Sequence, residues 1–164
     1  MIILGFDPGI ATLGYGVIST DKKTSPQVVD YGVVLTPKDL NLAERLVMLE
    51  KGVLQIIEKY NPEEIAVEEL FFAKNVKTGI AVAHARGVIL LTAMKKCGKI
   101  FEYTPLQIKQ ALTGYGRADK NQIQQMVKTM LKLNKIPKPD DAADALAVAL
   151  AHSQTNRFSG LFKL

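Results

Sequence analysis

Three apolar runs rich in β-branched residues, joined by links too short for a crossover, fill the first 35 residues and dictate how this chain begins to fold. Met1–Asp7 reads as a buried strand, a second strand lies around Tyr15–Ser19 and a third is Val28–Leu35. Asp7-Pro8-Gly9 and Gly14-Tyr15-Gly16 supply the first link, and the polar stretch Asp21–Pro26 the second. A parallel connection needs a dozen or more residues, so strands this close pair antiparallel, as a meander.

The periodicity then changes. Asn41 followed by Glu44 fits a capping box, and Leu42, Leu46, Leu49, Val53, Ile56 and Tyr60 recur at helical spacing until Asn61-Pro62 stops the run. Ile65–Leu70 reads as a strand and Lys77–Lys96 as a long helix, apolar on more than one face and therefore central or shared with a second subunit. Ile100–Tyr103 is a short strand, Leu106–Leu112 is helical, Asp119 with Gln122 caps another helix, and Asp141–His152 is an Ala-rich last helix. A meander feeding βαβ units predicts an α/β fold with a mixed five-stranded sheet and helices on both faces. One domain over residues 1–154 is expected, with 155–164 as a flexible tail.

Acidic residues stand where these segments change character. Asp7 closes the first apolar run, Glu68 ends Ile65-Ala66-Val67, and Asp141 and Asp144 lie on the first turn of the last helix. Carboxylates converging from such positions repel one another and desolvate badly, so a cluster of them implies a divalent cation. An all-oxygen donor set argues against zinc. Neighbouring acids leave two ambiguities. Adjacent strand residues face opposite ways, so only one of Glu68 and Glu69 joins Asp7; helix geometry lets either Asp140 or Asp141 share a face with Asp144. A helix cap for Asp140 leaves Asp141 to the metal.

The net charge is +5 despite these acids, which points towards a polyanionic partner. Lys120, Gln124, Lys128 and Lys132 recur every four residues opposite Ile123, Met126, Val127 and Met130, a cationic stripe over an apolar one. A single cysteine, Cys97, excludes an intrachain disulfide, and the longest apolar stretch, near Gly87–Met94, is too short to span a bilayer. Asp7 interrupts the N-terminal apolar run, unlike a secretory signal, so a cytoplasmic location without membrane contact is expected.

Three blocks carry a family resemblance. Ile3-Leu4-Gly5-Phe6-Asp7-Pro8-Gly9 with Gly14-Tyr15-Gly16, then Val67-Glu68-Glu69-Leu70-Phe71-Phe72-Ala73-Lys74-Asn75, then Asp141-Ala142-Ala143-Asp144-Ala145-Leu146-Ala147, are similar in order and spacing to the RuvC family of Holliday-junction resolvases. Ala85-Arg86-Gly87, Gln107-Ile108-Lys109-Gln110 and Met126–Leu133 fit as well. The resemblance implies a ribonuclease-H-like fold, a homodimer, a branch-migration partner (the RuvA–RuvB complex) and paired nicking of four-way DNA junctions in recombination and repair. It also implies Mg²⁺ dependence, with two ions per site and Mn²⁺ able to substitute. Asp7, Glu68, Asp141 and Asp144 would be the catalytic, metal-holding acids. Phe71 would stack on a base, and Lys74, Lys109 and Lys120 would contact DNA. Other classes remain: a ribonuclease-H-like nuclease acting on RNA, a non-catalytic junction-binding subunit, or an actin-like ATPase suggested by the Asp-Pro-Gly turn, for which the chain is short.

Overall fold

The structure is a computed structural model that describes residues 1–21, 24–70 and 76–155. Its strands are β1 (Ile2–Asp7), β2 (Thr12–Ser19), β3 (Gln27–Leu35), β4 (Glu64–Glu68) and β5 (Ile100–Tyr103). Its helices are α1 (Leu42–Tyr60), α2 (Val76–Lys96), α3 (Pro105–Thr113), α4 (Lys120–Met130) and α5 (Asp140–Thr155). The sheet runs β3-β2-β1-β4-β5, with β1, β2 and β3 antiparallel and β1, β4 and β5 parallel, as the strand lengths and links require.

Alternation along each strand divides the core. Leu4, Phe6, Leu13, Val17, Ile65, Val67 and Ile100 face α1 and α2, where they meet Leu49, Val53, Ile57, Ala85 and Ile89. Ile3, Ile18, Ala66, Phe101 and Tyr103 face the other way, onto α3, α4 and α5. Between Ala142 and His152 almost every side chain of α5 is buried, so this helix lies across the sheet as its central cover. At its far end His152, fully buried, meets the Tyr103 hydroxyl at 2.7 Å through Nδ1 and Glu64 at 2.9 Å through Nε2, tying α5 to β4 and β5.

Local signals explain most helix ends. Asn41 with Glu44 and Asp119 with Gln122 form reciprocal capping boxes, and Thr104 with Gln107 forms a third ahead of Pro105. Asn61 adopts a left-handed conformation (φ 45) and closes α1 before Pro62.

Four expectations need correction. Gly14 and Gly16 are not turn residues: β2 begins at Thr12 and carries both on the face beneath α5. A Cβ on Gly16 would sit 2.7 Å from the Leu146 amide nitrogen, and one on Gly5 or Gly14 would collide with the α5 backbone at Ala145 or Asp141. The glycines are there because the helix lies directly on the strands. Secondly, β4 stops at Glu68, short of Leu70, where the sequence placed its end. Thirdly, α5 starts at Asp140 and its first amides are met by the Pro139 carbonyl (Ala142 N at 3.0 Å), so Asp140 is inside the helix rather than capping it. Lastly, the cationic stripe on α4 is broken: Gln124 is buried, and Lys132 lies past the helix end with φ 53. Among the described residues no helix is long and apolar enough to cross a membrane.

Candidate active site

The sheet brings two of the acids together by register alone. Phe6 of β1 pairs in parallel with Val67 of β4, so the next residues, Asp7 and Glu68, are neighbours at the strands' carboxyl ends. Gly5, on the same face as Asp7, lies under α5, as does Ala66 next to Glu68. The two carboxyl groups therefore point to the α5 side and hydrogen-bond to one another. Glu69 points the opposite way, towards Arg86 of α2, which is ion-paired with Glu102 of β5. That settles which glutamate shares Asp7's face.

The α5 acids arrive from above. Because Gly14 lacks a side chain, the backbone of Asp141 rests on β2 opposite Asp7, its register partner. Asp141 and Asp144 are both close enough to repel the Asp7 carboxylate. Burial and then the charge of Glu68 raise the Asp7 carboxyl from 3.8 to about 9. Glu68 is also raised, chiefly by burial, with Lys120 and Lys109 opposing. Asp144 is raised by burial while its contact with Lys120 pulls it back.

Lys120, the first residue of α4, reaches 3.2 Å from Asp144 and 3.4 Å from Asp140. Asp140 is further held by Lys138 at 2.7 Å, and these lysines depress it to about 2. It is thus committed to cations of the chain itself, unlike Asp141. Glu68, Asp144, Lys109 and Lys120 line one cleft of about 200 Å³, whose remaining walls are Pro105, Ile108, Ile123 and Ala147.

Of the residues singled out from the sequence, Asp7, Glu68, Asp141, Asp144, Lys109 and Lys120 meet at this rim; Phe71 and Lys74 lie outside the described residues. Among the described residues, no three acidic or imidazole groups are drawn tightly enough to ligate one ion as they stand. The donor chemistry nonetheless fits a hard divalent cation. Every candidate ligand is a carboxylate oxygen, and burial beside Glu68 makes the Asp7 carboxyl costly to ionise without a countercharge, which a cation would supply. The glycines under α5 were missed as site-building residues; their period-two recurrence, Gly5 with Asp7 and Gly14 with Gly16, was the available signal.

A mixed sheet in this order, with acids at the shared ends of two parallel strands and at the start of a covering helix, defines a ribonuclease-H-like protein. The family model "Crossover junction endodeoxyribonuclease RuvC" matches residues 3–152. A curated relative of that name from Alkaliphilus oremlandii is 56% identical, covering 100% of this chain and 99% of its own. The Thermus thermophilus RuvC structure superposes with a TM-score of 0.92 at 35% identity, and T. thermophilus RuvC in complex with Holliday junction substrate with 0.90 at 32%; both cover 100% of each chain. The chain belongs to the RuvC family of crossover junction endodeoxyribonucleases.

Proposed function

We propose that this protein resolves four-way DNA junctions by hydrolysing phosphodiester bonds in paired, symmetric nicks. The observation that carries the reading is the meeting of Asp7 and Glu68 with the α5 acids beside Lys109 and Lys120, in a chain of this family. Asp7, Glu68, Asp141 and Asp144 are the catalytic acids and would hold the metal, two Mg²⁺ ions for which Mn²⁺ would substitute. When bound, the cations lower the pKa of an attacking water and neutralise the charge growing on the leaving 3′-oxygen. The chain's own groups do the rest. Asp7, on a central strand, interacts with Glu68 and with both helix acids, so it would contribute to holding the metal alongside each of them. Lys120 contacts Asp144 at 3.2 Å, and its ammonium would turn to a DNA phosphate when that carboxylate held a cation. Lys109, which lines the same cleft, pairs with the same strand, and such backbone contacts set affinity without choosing sequence. Phe71 and Lys74 are assigned to DNA by the family pattern.

A homodimer suits two equivalent cuts. On α2 the exposed residues Ile80, His84, Gly87, Leu91 and Met94 recur at steps of four and three, the spacing of a helix-pairing seam, with Leu91 58% and Ile80 52% exposed in the single protomer. The RuvA–RuvB branch-migration complex as partner, a cytoplasmic location and a single nuclease domain over 1–154 complete the proposal; the tail assigned to 155–164 lies outside the described residues apart from Thr155, which ends α5. An RNA-directed activity is disfavoured by the full-length match to junction endonucleases. The test is a synthetic four-way junction with end-labelled strands and Mg²⁺. Symmetric nicks on the junction and none on linear duplex are expected; indiscriminate cutting of duplex, or no cutting, overturns the reading.

A further inference from the structure

The connection between α3 and α4 is a hydrogen-bonded loop that carries an exposed tyrosine and an exposed arginine next to the helix that walls the cleft, and the carboxylate chemistry uses neither. Gly114 closes α3 in the left-handed region, with φ +70. The Tyr115 amide donates to Thr113 Oγ1 at 3.1 Å, and that hydroxyl lies 2.8 Å from both the Lys109 and the Tyr115 carbonyls. The Ala118 amide also reaches the Tyr115 carbonyl, at 3.4 Å, and the Ala118 methyl is buried. Gly116 packs against Leu106 so closely that a Cβ would strike the leucine, and it sits near Gln110.

With its backbone held on both sides, Tyr115 is 54% exposed, near exposed Arg117 and the half-exposed Leu106. This loop packs on the Leu106–Gln110 face of α3, and the adjoining Pro105–Ile108–Lys109 face is a wall of the cleft. Lys109 and Lys120 flank it. An exposed tyrosine with an exposed arginine two residues on, carried by a loop whose backbone is hydrogen-bonded, suits a partner with flat π-faces and negative charge. A protein surface would need acidic groups in that arrangement; a DNA strand leaving the cleft has phosphates and bases in every repeat.

We propose that Tyr115 stacks on a base unpaired beside the cut strand and that Arg117 neutralises a phosphate of that strand. This rests on the junction-nuclease reading. The two residues separate by chemistry: stacking changes affinity at every salt concentration, whereas a lost phosphate contact flattens the salt dependence.

The experiment uses a four-way junction carrying 2-aminopurine next to the cut position, titrated with full-length protein in chelator so that strands stay intact, and parallel cleavage in Mg²⁺. Wild-type protein and Tyr115→Phe should change the emission of the base; Tyr115→Ala should leave it unaltered and weaken binding by roughly tenfold or more. Arg117→Gln should lower the slope of log K against log salt by about one. If wild-type protein binds and cuts the junction but Tyr115→Ala and Arg117→Gln behave as wild type, the contact is overturned alone. If wild-type protein neither binds nor cuts, the nuclease reading falls and takes the contact with it.

Discussion

Replacing Asp7 by Asn should make the cation-free protein more stable at alkaline pH, an unusual result for a buried polar group at the centre of a site. Burial and the charge of Glu68 raise the folded Asp7 carboxyl from 3.8 to about 9. Between those values the folded chain holds a proton that the unfolded chain has released. Stability from this group is therefore full below about pH 4 and is lost as pH rises through about 9. At pH 8 the unfolded carboxyl lies about four units below the solution pH, and at about 1.4 kcal/mol per unit the upper limit is near 6 kcal/mol. Asp7 and Glu68 titrate together and local relaxation lowers the cost, so about 2–3 kcal/mol is the working figure. For a chain of this length that corresponds to roughly 5–10 °C in Tm. The assay is thermal unfolding by circular dichroism at pH 4, 6 and 8, in chelator and in Mg²⁺. Asp7→Asn and wild type should melt together at pH 4, with the variant pulling ahead as pH rises; Mg²⁺ should raise the wild type and barely move the variant. A variant less stable than wild type at pH 8, or a difference independent of pH, refutes the reasoning.

Other perturbations probe separate parts of the account. Lys120→Ala should weaken binding to every junction sequence alike and reduce the salt slope by about one, measured by anisotropy across a salt series. Leu91→Glu, on the exposed seam of α2, should give a monomeric mass in sedimentation at micromolar concentration while leaving the fold intact by circular dichroism. Gly14→Val should force α5 off β2, costing about 1–3 kcal/mol or more in unfolding free energy and abolishing cleavage through displacement of Asp141.

The fold was legible where one local rule decides the matter. Links of a few residues forced the meander, and Asn41/Glu44 and Asp119/Gln122 announced their helices because a cap is made by residues three apart. The side on which Glu68 stands followed from strand alternation once β1 and β4 were neighbours. What escaped depended on contacts between distant segments. Gly14 and Gly16 look like a turn until α5 is laid across them, and Gln124 looks solvated until α4 packs on α5. Asp140 reads as a cap in isolation, yet Lys138 and Lys120, the latter twenty residues earlier, hold its carboxylate. Lysine side chains reach across elements, and nothing in local spacing records where they end.

Manganese binding followed by electron paramagnetic resonance, alongside junction cleavage, addresses the shared cation site most directly. Asp7→Asn, Glu68→Gln, Asp141→Asn and Asp144→Asn should each lose bound Mn²⁺ and cleavage together while still binding the junction. Any one of the four that keeps both full cation occupancy and full cleavage contradicts a site built from all of them.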